Sequence, residues 1–442
     1  MDDWLWMNAA DLGREIDRGE IDPSALCEAY LAAIDAHPKR DRIYSATTPA
    51  RARAEAQAAS ARARAGARLG PLDGVPVSWK DVFDSAGTVT QAGTQLLAGR
   101  VPAWDAPVLA NATMAGMVCL GKTHMSELAF SGLGLNPMTA TPPNANDPAA
   151  VPGGSSSGAA ASVAMGLAAC GIGSDTGGSV RIPAAWNDLV GLKTSFGRLP
   201  NEGVLPLCEK FDTVGPLARS VEDCALVLAA LEGRRAADLR GANLKGMRFA
   251  ALETVVMDDI RDTPAAAFEG AVARLRNAGA SVTSLEAPEL AEAMPMSGTL
   301  FTAEAYGIWR DVIEAAPEKM FAPILDRFRL GRDVAAADYV AAWRRLEALR
   351  DTWRRRVAGF DAVILPSAPN LPPDRARLMD DDEYYVTENL LTLRNTRVGN
   401  LMGICAISLP TGTPSCGISF CGPAFGEERL LRVASAAEAV LA

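Results

Sequence analysis

Two kinds of patterning alternate along the chain. Residues 8–66 carry Ala, Arg, Glu and Leu at helical spacing, in LGREIDRGEIDPSALCEAYLAAID and then RARAEAQAASARARAGA, with breaks at Pro23 and Pro38. From residue 72 the pattern changes to short apolar runs bounded by Gly and Pro: LDGVPVSWKDVF, GMVCLGKT and ACGIGSD. These read as buried strands, and the helical stretches DAPVLANATMA and SGAAASVAMGLA lie between them. Further on, GMRFAALE and ASVTSLEA read as strands around the helical AAFEGAVARLRNAGA. Residues 297–358 are helical and amphipathic, FDAVILPSAP and LMGICAISLP read as two more buried strands, and EERLLRVASAAEAVLA as a terminal helix. Strands alternating with helices define a layered α/β class. The pattern resumes after each polar break, such as RRAADLRGANLKG, so one large domain over residues 1–442 is expected, with its core at about 70–230.

Composition narrows the function classes. Apolar residues make up 49% and charged residues 22% of the 442, an ordinary globular balance in a chain long enough for a large core. The net charge of −10 speaks against direct nucleic-acid binding. Eight cysteines are scattered in apolar context without a C-x-x-C pair. They are expected to be buried, reduced thiols, neither a disulfide frame nor a zinc site. The start, MDDWLWMNAADLGREID, lacks the basic-then-apolar pattern of a leader, and no run reaches the ~18 apolar residues of a membrane span. A cytoplasmic location with no membrane contact is expected.

The densest chemistry lies at residues 153–185, GGSSSGAAASVAMGLAACGIGSDTGGSVRIPAA. Glycines packed this closely let backbone N–H groups turn toward one point. Serines set in such turns supply what acyl transfer needs, a hydroxyl nucleophile beside donors for the developing oxyanion. Two other motifs fail on inspection. GMVCLGKT at 116–123 matches G-x-x-x-x-G-K-[ST], but the Met, Val, Cys and Leu between its glycines read as a buried strand, not a phosphate-cradling turn. GSSSG at 154–158 fits G-x-S-x-G around Ser156, yet both histidines, His37 and His124, precede it, whereas that motif's histidine follows. His37 is expected at the surface and His124 in a turn after a strand. Neither H-E-x-x-H nor S-x-x-K occurs.

A serine site here therefore needs another base. Lys80 follows the apolar run VPVSW near a strand end, where its stem would be buried. Burial disfavours the ammonium form and pulls the pKa down from its usual ~10.4, leaving an amine able to take a proton. On residue chemistry alone, a partly buried lysine paired with Asp81 or Asp84 is the plainer account.

Lys80, GGSSSG and SDTGGSVRIPA together resemble the amidase signature family, with Lys80, Ser155 and Ser179 spaced 75 and 24 residues apart. LDGVPVSWKDVFD, GKTHMSELAFSG, NPMTATPPNANDP, GLKTSFGRLP and FDTVGPLARSVED follow the same pattern. The resemblance is strong over roughly residues 70–230 and traceable in the N-terminal helices and in GNLMGICAISLPTG. It implies a mixed central β-sheet flanked by helices on both faces. It also implies Ser179 as nucleophile, Ser155 as a bridging relay after a cis peptide bond, and Lys80 as base. The N–H groups of Thr176, Gly177, Gly178 and Ser179 would form the oxyanion hole, with Ser156, Asp175 and Arg181 in support. Water would then release a carboxylic acid from the acyl-enzyme, and neither a cofactor nor a metal enters. One departure stands out: relatives have GGSSGG, whereas this chain has GGSSSGAA, with Ser157 and Ala159 at common glycine positions. A small change in loop packing is expected.

Within the resemblance, two activities differ. One is a stand-alone hydrolase of a small linear amide, with aryl amides and carbamates in its class. The other is the A subunit of a tRNA-dependent amidotransferase, which hydrolyses glutamine and passes ammonia to a partner. That protein carries an acid before the C-terminal strand, where this chain has LLTLRNTRVGNLMG, so the stand-alone enzyme is expected. A silent scaffold on this fold is the third reading, disfavoured by three filled catalytic positions. Substrate choice is expected from residues 125–145 and 297–345, with Met125, Phe130, Leu133, Met294, Phe301 and Trp309 near the cleft. Arg327 and Arg329 are read as helix-surface residues with an option on a substrate carboxylate. Helical surfaces of this kind often self-associate, so a homodimer is one expected assembly.

Overall fold

Buried apolar runs become strands where Gly or Pro brackets them, and one sheet collects them all. In the computed structural model, which describes residues 2–441, the strands are β1 (Tyr44–Thr47), β2 (Pro76–Lys80), β3 (Val118–Thr123), β4 (Cys170–Asp175), β5 (Val190–Lys193), β6 (Thr213–Ala218), β7 (Arg248–Leu252), β8 (Ser281–Leu285), β9 (Ala362–Pro366), β10 (Ala406–Pro410) and β11 (Gly417–Cys421). They form a mixed sheet in the order β1-β3-β2-β4-β6-β5-β10-β11-β9-β7-β8. β3, β2 and β4 run parallel, as do β9, β7 and β8. The strands between these groups pair antiparallel.

β2, β3 and β4 are buried at every position, as expected of strands covered by helices. Helix Pro49–Arg64 packs on β3, Ser157–Ala164 on β4, Arg181–Trp186 on β5, Val221–Glu232 on β6 and Glu427–Leu441 on β10. The phosphate-loop look-alike at 116–123 is β3, as its apolar centre requires. Residues 297–358 are helical, within Pro288–Ala315, Ala322–Arg329 and Ala336–Val357. The eight cysteines are all buried and unpaired. No helix among the described residues is long and apolar enough to cross a membrane.

Four strands are not read from local pattern: VGLK (β5) and TVGPLA (β6) in mid-chain, and one toward each end. YSAT, inside the otherwise helical N-terminal region, is β1, antiparallel to β3. Four residues are too few to display a period, and the pairing partner lies far along the chain. GISFC is β11, paired in register with β10 from Ala406↔Cys421 to Pro410↔Gly417. β10 and β11 sit between β5 and β9, so the last strands of the chain join its two parallel groups into one sheet.

The parallel pairing of β2 with β4 is what builds the site. Val77–Trp79 align with Cys170–Ile172, so the carboxyl ends of both strands lie at the same edge of the sheet, with β4 running on past β2. Lys80 ends one and Ser174 and Asp175 end the other. Ligands in α/β sheets bind beyond such ends.

Candidate active site

Lys80 is wholly buried, with its Nζ 2.7 Å from Ser155 Oγ and 2.8 Å from Ser174 Oγ. The acids nearest to it in sequence are taken elsewhere: Asp81 pairs with Lys122 and Asp84 with Arg100. Lys80 thus has hydroxyls, not a carboxylate, as direct neighbours. Burial pulls its pKa down to about 7, against the more distant charges of Asp212 and Asp175, which hold it up. Near neutral pH a large share of Lys80 is free amine, touching a serine hydroxyl.

Ser155 follows a cis peptide bond from Gly154. The Ser156 N–H donates to the Ser179 carbonyl oxygen at 3.2 Å, which ties the two serine loops together. The Ser156 hydroxyl donates to the Ser174 carbonyl oxygen at 3.3 Å. Ser157, at a position where relatives have glycine, donates weakly to the His124 carbonyl oxygen at 3.4 Å. Ala159 packs against Gly171 with no exposure. The GGSSSGAA variation is absorbed by such local packing.

The loop after β4 is held by a buried ion pair. Asp175 accepts from Arg181 Nε (3.0 Å) and Nη2 (2.9 Å), from Asn400 Nδ2 (2.9 Å) and from the N–H groups of Gly178 (2.9 Å) and Val180 (3.2 Å). Arg181 also donates to the Thr396 carbonyl oxygen (2.7 Å) and to Asn400 Oδ1 (2.6 Å). The guanidinium beside it keeps Asp175 ionised, down at about 2, in spite of burial. Thr176 Oγ1 donates to Asp212, whose carboxylate also accepts from the Leu207 and Cys208 N–H groups. Burial nonetheless pushes Asp212 up to about 7.

This geometry revises one expectation. The Gly178 N–H is already committed to Asp175, so it is not a free donor. The N–H groups of Thr176, Gly177 and Ser179 have no acceptor among the described residues. Thr176, Gly177 and Ser179 line a narrow pocket of about 20 Å³, together with Phe130, Phe301 and two arginines, Arg327 and Arg397. A larger cavity of about 480 Å³ shares Phe130, Phe301, Arg327 and Arg397 with it and adds Met294 and Tyr385.

Of the six residues expected near the cleft, Phe130, Met294 and Phe301 line these spaces. Met125 and Leu133 are instead fully buried core, and Trp309 turns its indole N–H to the Pro206 carbonyl oxygen at 2.8 Å. Arg329 pairs with Glu314 on the helix surface as expected, but Arg327 does not stay at the surface and faces the pocket. His124 holds the helix that follows Ser156 through its carbonyl oxygen, and burial pushes its imidazole down to about 4. Ser174, Asp212, Thr396, Asn400 and Arg397 are site residues that sequence pattern does not single out. Ser174 sits inside the SDTGGS motif and was legible there. The others reach the site only through tertiary folding.

A lysine amine in contact with the Ser155 hydroxyl, next in the chain to Ser156, which is hydrogen-bonded to the pocket-lining Ser179, suits acyl transfer to water. The fold and this site define a hydrolase. A family model described as Amidase matches residues 25–431, and the chain belongs to the amidase family, hydrolases of amide carbon–nitrogen bonds. It is 35% identical to 2-amino-5-chloromuconic acid deaminase of Comamonas testosteroni, over 98% of this chain and 97% of that protein. It is 30% identical to the A subunit of the glutamyl-tRNA(Gln) amidotransferase of Moorella thermoacetica, over 98% and 96% of the two chains. A solved amidase structure superposes with a TM-score of 0.88 at 30% identity, covering 99% of this chain and all of the other.

Proposed function

We propose that this chain is a stand-alone amidase that hydrolyses a small linear amide through an acyl-enzyme on Ser179. The observation that carries the reading is the 2.7 Å contact between Lys80 Nζ and Ser155 Oγ, with the lysine brought down to about 7. Neutral Lys80 takes the Ser155 proton as Ser155 takes the Ser179 proton, and Ser179 Oγ bonds to the amide carbon. The oxyanion settles against the Thr176, Gly177 and Ser179 amides. The proton returns through Ser155 to the leaving nitrogen, the C–N bond breaks, and ammonia or an amine departs. Water then uses the same relay to hydrolyse the ester, releasing a carboxylic acid and restoring Ser179. Asp175 and Arg181 shape the donor loop, and Ser156 links it to the relay. The relative named a deaminase supports following ammonia release as the readout.

Similarity to the amidotransferase protein keeps glutamine hydrolysis for a partner as the second reading. One experiment separates the two. Purified chain alone is assayed against an aliphatic amide, an anilide, a carbamate and glutamine, beside Ser179→Ala and labelling by a serine-directed fluorophosphonate. Turnover of a non-glutamine amide with Ser179 labelled supports the stand-alone reading. Glutamine as sole substrate supports the partnered one, and activity that survives Ser179→Ala overturns both.

A further inference from the structure

Two guanidinium groups line the pocket that holds Ser179, and neither has a counter-charge. Arg327 makes one hydrogen bond, from Nη1 to the Phe130 carbonyl oxygen at 2.7 Å, with its guanidinium 4.2 Å from the Phe130 ring centroid. That stacking fixes the plane of the fork and leaves Nε and Nη2 without a protein acceptor. Arg397 is less satisfied still: its Nε is buried with no partner at all. Burial lowers both, Arg327 to about 10 and Arg397 to about 9, and the charge of Arg327 adds to the lowering at Arg397. The Tyr385 hydroxyl, in the cavity that continues from the pocket, is also buried without a partner and lies near enough to Arg327 to affect its charge.

Partly buried like charges with unmade hydrogen bonds are costly, and proteins normally pair them. Two other arginines of this chain follow that rule: Arg181 has Asp175, and Arg198 has Glu232 and Glu427. No acid lines the Ser179 pocket. Asp326 and Asp382, on the larger cavity, are exposed at its outer side. The missing partner is therefore an anion that comes with the ligand, and a planar fork matches a carboxylate.

We propose that Arg327 and Arg397 form a carboxylate subsite, and that the substrate is the half-amide of a short dicarboxylic acid. This rests on Ser179 as the nucleophile. Both arginines and Ser179 line one narrow pocket, and both arginines also line the larger cavity beside it, so carboxylate and scissile amide belong to one small molecule. The two arginines anchor one end while the other end meets the donors at Thr176, Gly177 and Ser179. Glutamine fits this subsite poorly, because its ammonium sits on the same carbon as its carboxylate and would face two guanidinium groups.

The test compares kcat/KM for malonamate, succinamate and glutaramate with that for their neutral methyl esters, in the wild type, Arg397→Gln and Arg397→Lys. The wild type is expected to favour at least one half-amide over its ester by on the order of 100-fold. Arg397→Gln should collapse that ratio toward one, mainly through KM, and Arg397→Lys should restore part of it. Equal turnover of acid and ester by the wild type, or an unchanged ratio in Arg397→Gln, overturns the subsite. Calorimetry on Ser179→Ala protein gives a second reading that needs no folded Arg397 variant. Succinate binding at least about tenfold tighter than succinamide supports the proposal, and equal or absent binding of both overturns it. Loss of the catalytic reading looks different: activity that survives Ser179→Ala while the acid-to-ester preference remains.

Discussion

Arg181 grips Asp175 with two nitrogens, at 3.0 Å and 2.9 Å, and both side chains are almost wholly buried. The pair connects the Ser179 loop to residues 396–400, which lie over 200 positions away, through the Thr396 carbonyl oxygen and Asn400. Removing one partner strands a charge. Arg181→Met is expected to cost about 3–5 kcal/mol in urea unfolding and to abolish hydrolysis by releasing the donor loop. The folded Asp175 lies at about 2, below its usual 3.8, so its stabilisation is complete above about pH 4 and fades as pH falls toward 2. Wild type and Arg181→Met should therefore converge in stability across that acid window.

Lys80→Met separates activity from stability. Loss of the base should lower kcat by about 10³-fold or more. Lys80 is held at about 7 when folded against 10.5 as a free side chain, so burying it costs stability most fully below about pH 7. That cost fades as pH rises toward 10.5. The melting temperature of Lys80→Met should equal or exceed that of wild type at about pH 6, with the margin shrinking by about pH 9. A melting temperature several degrees lower at the acid end would remove the argument.

In the proposed mechanism the same lysine sets the pH profile. kcat/KM should rise through about pH 7 as Lys80 loses its proton. Asp212 is one of the charges that hold the ammonium form up, so Asp212→Asn should move this acid limb to lower pH. Asparagine can keep the local bonds, its Oδ1 accepting from the Leu207 and Cys208 amides and its Nδ2 donating to Thr176 Oγ1. A limb that stays in place or moves upward would show that Lys80 is not the titrating group.

Gly178 has no room for a side chain. Its φ is +135°, and a Cβ there would collide with Thr396 Oγ1, whose hydroxyl donates to the Gly177 carbonyl oxygen at 2.7 Å. Gly178→Ala should cost about 1–3 kcal/mol and lower kcat by about 100-fold, because the amides of Gly177 and Ser179 shift with it. The check is chemical unfolding beside steady-state kinetics. Full activity with lowered stability would mean that this turn does not position the donors.

Thr396 and Arg397 show where sequence reading stops. Both stand in LLTLRNTRVGNLMG, a stretch whose one legible feature is a missing acid, and nothing local says that one braces Gly177 while the other enters the pocket. Arg327 and Arg329 make the point more sharply. They lie two residues apart on one helix, share a residue type and have opposite fates, one in the pocket and one paired with Glu314. Helical spacing places them on different faces, but only the packing of that helix decides which face is wet.

By itself the sequence determined the strands that carry chemistry, because VPVSW, MVCL and ACGIG are apolar runs with no amphipathic option. It also determined the serine loops, because glycine density there leaves few other backbones. By leaving no suitable histidine it made Lys80 a candidate base, and the resemblance to the amidase signature family made it the expected one. Tertiary structure decided the rest: that β1, β5, β6 and β11 exist, that Lys80 touches Ser155 and Ser174 and not Asp81, and that Gly178 spends its amide on Asp175. These are contacts between segments distant in the chain. Their energies come from burial and from hydrogen bonds made across the sheet, which no local window of residues contains.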